Sequence, residues 1–246
     1  MHITSENGNS ALQRLRRHLR HIFSLLPSQC AVCHGWPAAR ICMACVGRFV
    51  PLRHRCRTCA LPVAAGVSQC GECLLHPPAL DACCAALDYA YPWADLIAQF
   101  KFPPCDPGWA ADLGRLLTCA AQAAPFVHEA ELVIPVPLSL ERLTERGFNQ
   151  SLLLARQLNT RDKIRSDLLL RVIHSPAQSQ LSRAQRLRNL RASFAVDPLR
   201  AHQLRGRRVL LVDDVMTTGA TLHTAALALR RAGAAEVRAL VLARTA

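Results

Sequence analysis

The stretch Val209-Leu210-Leu211-Val212-Asp213-Asp214-Val215-Met216-Thr217-Thr218-Gly219-Ala220-Thr221 decides the fold. Its first four residues are apolar and include two β-branched valines, the composition of a strand covered on both faces in a parallel sheet. Beyond it, Leu222, Ala225, Ala226 and Leu229 recur at helical spacing. The Thr-Thr-Gly-Ala-Thr segment therefore joins a strand end to a helix start, where backbone N–H groups lack helical partners and the helix dipole attracts phosphate. Gly219 lets the main chain approach a ligand closely, and the hydroxyls of Thr217, Thr218 and Thr221 can donate to phosphate oxygens. Asp213 and Asp214 need a different account. Two carboxylates beside a phosphate cradle repel it unless they accept hydrogen bonds from ligand hydroxyls or meet a cation, and a ribose diol with Mg²⁺ satisfies both conditions. No lysine of the GxxxxGK[ST] kind follows, which excludes an ATPase P-loop. The bland alternative is a buried strand, a capped helix and two surface acids.

A second pattern is a run of cysteine pairs: Cys30-x-x-Cys33, Cys42-x-x-Cys45, Cys56-x-x-Cys59 and Cys70-x-x-Cys73. Each pair offers two thiolates to one tetrahedral ion, so the set can build two structural Zn²⁺ sites. Sequential pairing groups Cys30, Cys33, Cys42 and Cys45 in one site and Cys56, Cys59, Cys70 and Cys73 in the other; a cross-braced arrangement is the alternative. No secretory leader precedes these cysteines, and a reducing cytoplasm, the expected location, favours metal over disulfides. So short a segment buries little core, and metal binding, on the order of 10 kcal/mol per structural site, would supply most of its folding energy. Cys83, Cys84, Cys105 and Cys119 lack the spacing and read as small buried apolar residues.

The chain has 246 residues and a formal charge of +13 at pH 7, large enough to invite an anionic substrate or nucleic acid. Only Lys101 and Lys163 are lysines, and aromatic residues are 5% of the chain, so a base-stacking surface is thin. Arg40, Arg48, Arg53, Arg55 and Arg57 cluster with the cysteines, near Trp36 and Phe49. In residues 11–26, Leu12, Leu15, Leu19, Ile22, Phe23 and Leu26 share one helical face opposite Arg14, Arg17, Arg20 and His21. This basic amphipathic helix is too short and charged to span a bilayer; docking on the zinc module or a partner competes with membrane-surface or DNA contact. No other candidate transmembrane segment exists. The expected organisation is this helix in 1–28, a double zinc ribbon in 29–78 and an α/β domain in 79–246.

Past the cysteines the pattern alternates. Strands are expected over 84–91, 131–136, 168–173, 209–213 and 237–243, and helices over 94–100, 112–124, 149–158, 182–192 and from Thr218 to Arg231. Such alternation predicts an α/β fold, a parallel sheet flanked by helices, with ligands at the carboxyl ends of its strands.

Every position of the opening stretch fits the PRPP-binding motif of type I phosphoribosyltransferases, PRPP being 5-phosphoribosyl 1-pyrophosphate. That resemblance implies that Asp213 and Asp214 hold the ribose hydroxyls and act in catalysis, and that Thr217, Thr218, Gly219, Ala220 and Thr221 hold the 5′-phosphate. Further segments, Ile134-Pro135-Val136-Pro137-Leu138 with Arg142 and Arg146-Gly147-Phe148-Asn149-Gln150, and Gln178–Leu181 with Arg183, Arg186, Asn189 and Phe194, resemble ComF-type proteins, as does Phe100-Lys101-Phe102. These proteins join a double zinc ribbon to a phosphoribosyltransferase domain. Pro103-Pro104 and Gln180 depart from the family pattern. The likeness implies a site in which Lys101, Arg142 and Arg146, the arginines in a loop after a strand, contact pyrophosphate, with Asn149 and Gln150 as alternative caps of the next helix. It also implies a link to competence and DNA uptake, with single-stranded DNA or the uptake machinery as partner. Two functions follow: phosphoribosyl transfer from PRPP to an unidentified acceptor, or DNA handling with PRPP as a regulatory or structural ligand. Acceptor and oligomeric state are not encoded in any motif.

Overall fold

The computed structural model describes residues 28–50, 52–120, 123–172 and 193–246. The helices read over 11–26 and 182–192, and the residues Gln178, Arg183, Arg186 and Asn189, lie outside them. The chain forms two compact units, Met1–Phe49 and Val50–Ala246. The domain boundary read after residue 78 does not coincide with this division, which carries the second cysteine cluster in the same unit as the sheet.

In the smaller unit, α1 (Met43–Phe49) follows the first cysteine pairs. The larger unit begins with a second knuckle that contains α2 (Gly71–Leu75). There follow β1 (Ala82–Asp88), α3 (Trp93–Lys101), α4 (Trp109–Cys119), α5 (Ala123–Glu129), β2 (Leu132–Pro135), α6 (Leu140–Arg146) and α7 (Gln150–Ala155). After them come β3 (Leu169–Arg171), β4 (Phe194–Val196), β5 (Arg208–Met216), α8 (Ala220–Arg231) and β6 (Glu236–Arg244).

The sheet has four parallel strands in the order β1-β6-β5-β2. β5 is central, and Val209, Leu210, Leu211 and Val212 are at most 2% exposed, as a strand covered on both faces requires. Val209 and Leu211 share a core with Leu222, Ala225, Ala226 and Leu229, so the helical stripe read from sequence is the face that α8 buries. α7 packs against β5 and β2, and α4 against β1 and α7. Cys83, in this core, and Cys84 are buried as expected, but Cys105 is half-buried and Cys119, at the end of α4, is exposed.

Three expectations change. The helix read over 112–124 is two helices, because Pro125 in the first turn of α5 cannot donate to a preceding turn and so cannot continue α4. The strand read over 168–173 is β3, which pairs antiparallel with β4 in a separate two-stranded sheet, Leu169 opposite Val196, and so adds nothing to the parallel sheet. Leu169 of β3 is buried in the same core as Leu222 and Leu229 of α8, and α8 packs against β4. Finally, β5 runs three residues past Asp213, to Met216, because β6 pairs with it as far as Met216 opposite Arg244.

Candidate functional site

β2 pairs with β5 only as far as Pro135 opposite Val212; after the Val136 amide donates to Val212 O at 2.9 Å, the Val136 carbonyl accepts from Asn149 Nδ2 at 3.0 Å and the Asp214 amide donates to Asp213 Oδ1 at 2.9 Å, so the ladder goes no further. β6 continues alongside on the other flank. From Asp213 onward β5 is thus paired on one edge and open on the other, and the two acids stand where the sheet parts. This is the carboxyl edge at which parallel sheets collect ligands.

The cleft there measures about 470 Å³ and is lined by Lys101, Arg142, Arg146, Asp213, Asp214, Thr217 and Thr221 among others. It also takes in Phe102, read from sequence only as a neighbour of Lys101 in the Phe100-Lys101-Phe102 segment, and Tyr89 and Arg171, which sequence reasoning missed. Arg171 arrives from the antiparallel β3, so no pattern along the chain could have aimed it at Asp213.

Asp213 accepts a hydrogen bond from Ser151 Oγ of α7 at 2.9 Å and one from the Asp214 amide at 2.9 Å. Burial, then the charge of Asp214, push its carboxyl from 3.8 up to about 7, against the pull of Ser151, the Asp214 amide and Lys101. Asp214 is 6% exposed; its Oδ1 takes Lys101 Nζ at 2.9 Å and the Val215 amide at 2.6 Å. Lys101, which ends α3, is therefore paired with an acid of the strand.

Arg142 and Arg146 lie on a helix, α6, and not in the loop expected. Ser139 Oγ caps it by accepting from the Arg142 amide, and Gly147, at φ 74°, ends it in the left-handed conformation and donates to Leu143 O. Arg142 is exposed on the cleft. Arg146 is 6% exposed, lies 5.4 Å over the Phe102 ring and donates to Gln150 Oε1 at 3.3 Å. Its Nε, and Nε2 of Gln150, have no hydrogen-bond partner among the described residues. Leaving such groups buried and unpaired is costly, and a ligand anion beside them would remove that cost. Asn149 caps α7, as read, through Leu152 N, and also donates to Val136 O at 3.0 Å. Burial, reinforced by Arg142, draws Arg171 below the usual guanidinium range, while Asp213 opposes the shift. Four cations thus face two acids, one of them readily protonated, which makes the cleft attractive to a polyanion.

Gly219 has φ 79°, so its left-handed conformation calls for glycine, while the Met216 methyl that a Cβ would meet at 2.5 Å lies at the end of a flexible side chain. Gly219 itself offers α8 no side-chain cap, and Thr218 Oγ1 accepts from the Ala220 amide at 3.4 Å. The turn divides two spaces. Thr217 and Thr221 line the cleft, while Thr218, Gly219 and Ala220 line a separate cavity of about 630 Å³ shared with the second cysteine knuckle.

The cysteines form the two sequential clusters, Cys30, Cys33, Cys42, Cys45 and Cys56, Cys59, Cys70, Cys73, and within each the four sulfurs lie within 4.8 Å of one another. Sulfur separations of 3.9 Å for Cys30–Cys45, 3.7 Å for Cys33–Cys42 and 3.6 Å for Cys59–Cys70 suit the edges, about 3.8 Å, of a tetrahedron with Zn–S near 2.3 Å. Burial raises Cys45 to about 12, whereas at Cys30 and Cys56 backbone amides outweigh burial and bring each thiol to about 6. Each cluster thus has a thiolate ready for a cation, and Zn²⁺ would displace the remaining protons. Arg53 and Arg55 both pair with Asp88, at 2.8 and 2.7 Å, so these two knuckle arginines are engaged within the fold.

No helix among the described residues is long and apolar enough to cross a membrane. The phosphoribosyl transferase domain family matches residues 144–246. Competence protein F of Haemophilus influenzae is 35% identical over 77% of this chain and 84% of its own. The DNA utilization protein YhgH of Escherichia coli is 34% identical over 83% of this chain and 90% of its own. Competence protein ComFC of Bacillus subtilis is 38% identical over 46% of this chain and 45% of its own.

Proposed function

We propose, from the premise that this chain belongs to the ComF family of competence proteins, that its cleft binds PRPP and that the protein transfers the phosphoribosyl group to an acceptor with release of pyrophosphate. The observation that carries this reading is the convergence, at one open strand edge, of an acid pair, four cations and the threonines Thr217 and Thr221 that flank the start of α8. Asp213 and Asp214 accept hydrogen bonds from the ribose hydroxyls, and the turn's amides with Thr217 and Thr221 receive the 5′-phosphate. Lys101, Arg142, Arg146 and Arg171 attract the pyrophosphate, and their charge stabilises it as the bond to the anomeric carbon breaks. The acids' negative charge favours the cationic character that develops at that carbon. Mg²⁺ bound with the substrate would offset pyrophosphate charge, and the carboxylates of Asp213 and Asp214 are the oxygen donors suited to it.

The test is calorimetric titration with PRPP and magnesium, followed by pyrophosphate release over a panel of acceptors. Binding that disappears in Asp213→Asn/Asp214→Asn and release with one acceptor class support transfer; unchanged affinity in the double variant removes the site assignment. A second reading, that the protein handles single-stranded DNA in the cytoplasm with PRPP as a regulatory or structural ligand, is favoured by the net charge of +13, the 66% exposed Trp36 and the names of its relatives. It predicts salt-sensitive binding of single strands that persists without either acid.

A further inference from the structure

Arg244, at the end of β6, is only 8% exposed, and no carboxylate lies within ion-pair reach of it among the described residues. Its guanidinium is met instead by main-chain carbonyls from separate segments. Nε donates to Cys59 O of the second knuckle at 3.0 Å; Nη1 donates to Met216 O at 3.3 Å, to Thr217 O and to Thr245 O at 2.6 Å. A buried cation without a counter-ion is expensive, so what it holds in place is informative. It lies beside the cavity between the knuckle and the back of the threonine turn.

The grip has a directional consequence. A trans peptide is planar, and its C=O and N–H point in opposite directions. The Met216 carbonyl, which also accepts from the Thr245 amide at 3.1 Å, and the Thr217 carbonyl are held toward Arg244, so the following amides, those of Thr217 and Thr218, are turned away from its guanidinium.

We infer that Arg244 is a positioning residue that aims the phosphate-binding amides of the turn and is itself positioned by the second cysteine knuckle, so that metal occupancy of that knuckle sets the turn's affinity for a phosphate ester. This rests on the PRPP reading of the cleft. Cys59 supplies both a sulfur to the cluster and the carbonyl that Arg244 grips, so loss of the metal frees that carbonyl. Coupling of this kind is reciprocal: phosphate ester bound at the turn tightens metal at the knuckle.

The experiment uses the full, zinc-loaded chain with ribose 5-phosphate and with PRPP plus magnesium as probes, and compares Arg244→Met, Arg244→Lys, Cys73→Ser and the Arg244→Met/Cys73→Ser double variant. Arg244→Met should keep both zinc equivalents yet bind either probe about tenfold more weakly, the loss expected when a charge-assisted donor no longer orients its partners. Cys73→Ser should lose one zinc and show a similar weakening, and the double variant should be no weaker than the weaker single, because both break one chain of contacts. Amide exchange of Thr217–Ala220 should quicken in each variant while β5 before Asp213 stays protected. Should Arg244→Met not fold, Arg244→Lys carries the test, since one ammonium cannot span the Cys59 carbonyl and the turn. Additive losses, or full affinity in Arg244→Met, overturn the coupling while leaving the PRPP reading intact. Faster exchange in a protein that binds neither probe overturns the PRPP reading while leaving the mechanical link.

Discussion

The two cysteine knuckles are built alike and held differently. In each, the residue after the second cysteine takes the left-handed conformation, His34 at φ 57° and Ala60 at φ 56°, and its amide returns to the carbonyl of the first cysteine, Cys30 or Cys56, at 2.9 or 2.8 Å. In each, the last two cysteines flank or begin a short helix, α1 or α2. Yet the first belongs to the smaller unit, whereas the second is tied into the sheet: Arg57 O accepts from Cys83 N at 2.8 Å, Arg55 pairs with Asp88, and Ala60 lies in the core with Leu211 of β5 and with Leu222 and Leu229 of α8. Identical local chemistry therefore supports two roles. One knuckle stands in the smaller unit; the other is a candidate metal site that is also part of the wall behind the threonine turn.

Substitutions separate the two. The largest effect is expected at the second knuckle: Cys70→Ser should remove one zinc equivalent and destabilise the larger unit by several kcal/mol, a share of the roughly 10 kcal/mol a structural site provides. Cys33→Ser should remove the other equivalent yet leave the larger unit's melting transition and its PRPP affinity unchanged. Metal analysis with calorimetry decides, and equal losses of affinity in both variants would erase the distinction. Next is the cleft itself. Asp213→Asn/Asp214→Asn should weaken PRPP binding by about a hundredfold or more, two lost charge-assisted acceptors at roughly 1.5–3 kcal/mol each, with both zinc equivalents retained.

A smaller effect concerns pH. Asp213 titrates near 7 in the fold against an ordinary value of 3.8. Between about pH 4 and 7 the folded protein keeps a proton that the unfolded chain has released, so this group's contribution to stability declines as pH rises through that window. Asp213→Asn should therefore stabilise the ligand-free protein by about 1–3 kcal/mol at pH 8 and hardly at all at pH 4, measured by denaturant melts. Magnesium-dependent PRPP binding should strengthen over the same range as the carboxylate forms. The smallest change is Ser139→Ala, which removes the cap of α6 and should cost about 1 kcal/mol while displacing Arg142 and Arg146 enough to weaken PRPP slightly; neither zinc should respond.

Much of this is legible along the chain because it depends on short-range pattern. The apolar run of β5, the stripe on α8 and the four Cys-x-x-Cys pairs are read from spacing alone, and each appears in the structure with the neighbours that the spacing implies. The cap at Asn149 is equally local. What escapes such a reading is what arrives from afar. Arg171 enters the cleft from a separate antiparallel sheet, and Ser151 reaches Asp213 from a helix 62 positions earlier. α6 reads as a loop because Leu140–Arg146 is too short and too polar for its period to stand out, although Ser139 and Gly147 mark its ends.

The sequence by itself determined the chemistry available: paired acids, a glycine turn at a strand-to-helix junction, and thiols in Cys-x-x-Cys pairs, whose sequential grouping the tertiary structure then fixed. Those follow from residue type and spacing, which act within a few positions of one another. Only the tertiary structure decided that β2 stops at Pro135 and opens one edge of β5, that Lys101 meets Asp214, and that Arg244 joins a knuckle to the turn. Such contacts arise when packing a parallel sheet brings distant segments together, and the electrostatic environment that lifts Asp213 exists only once that packing has excluded water.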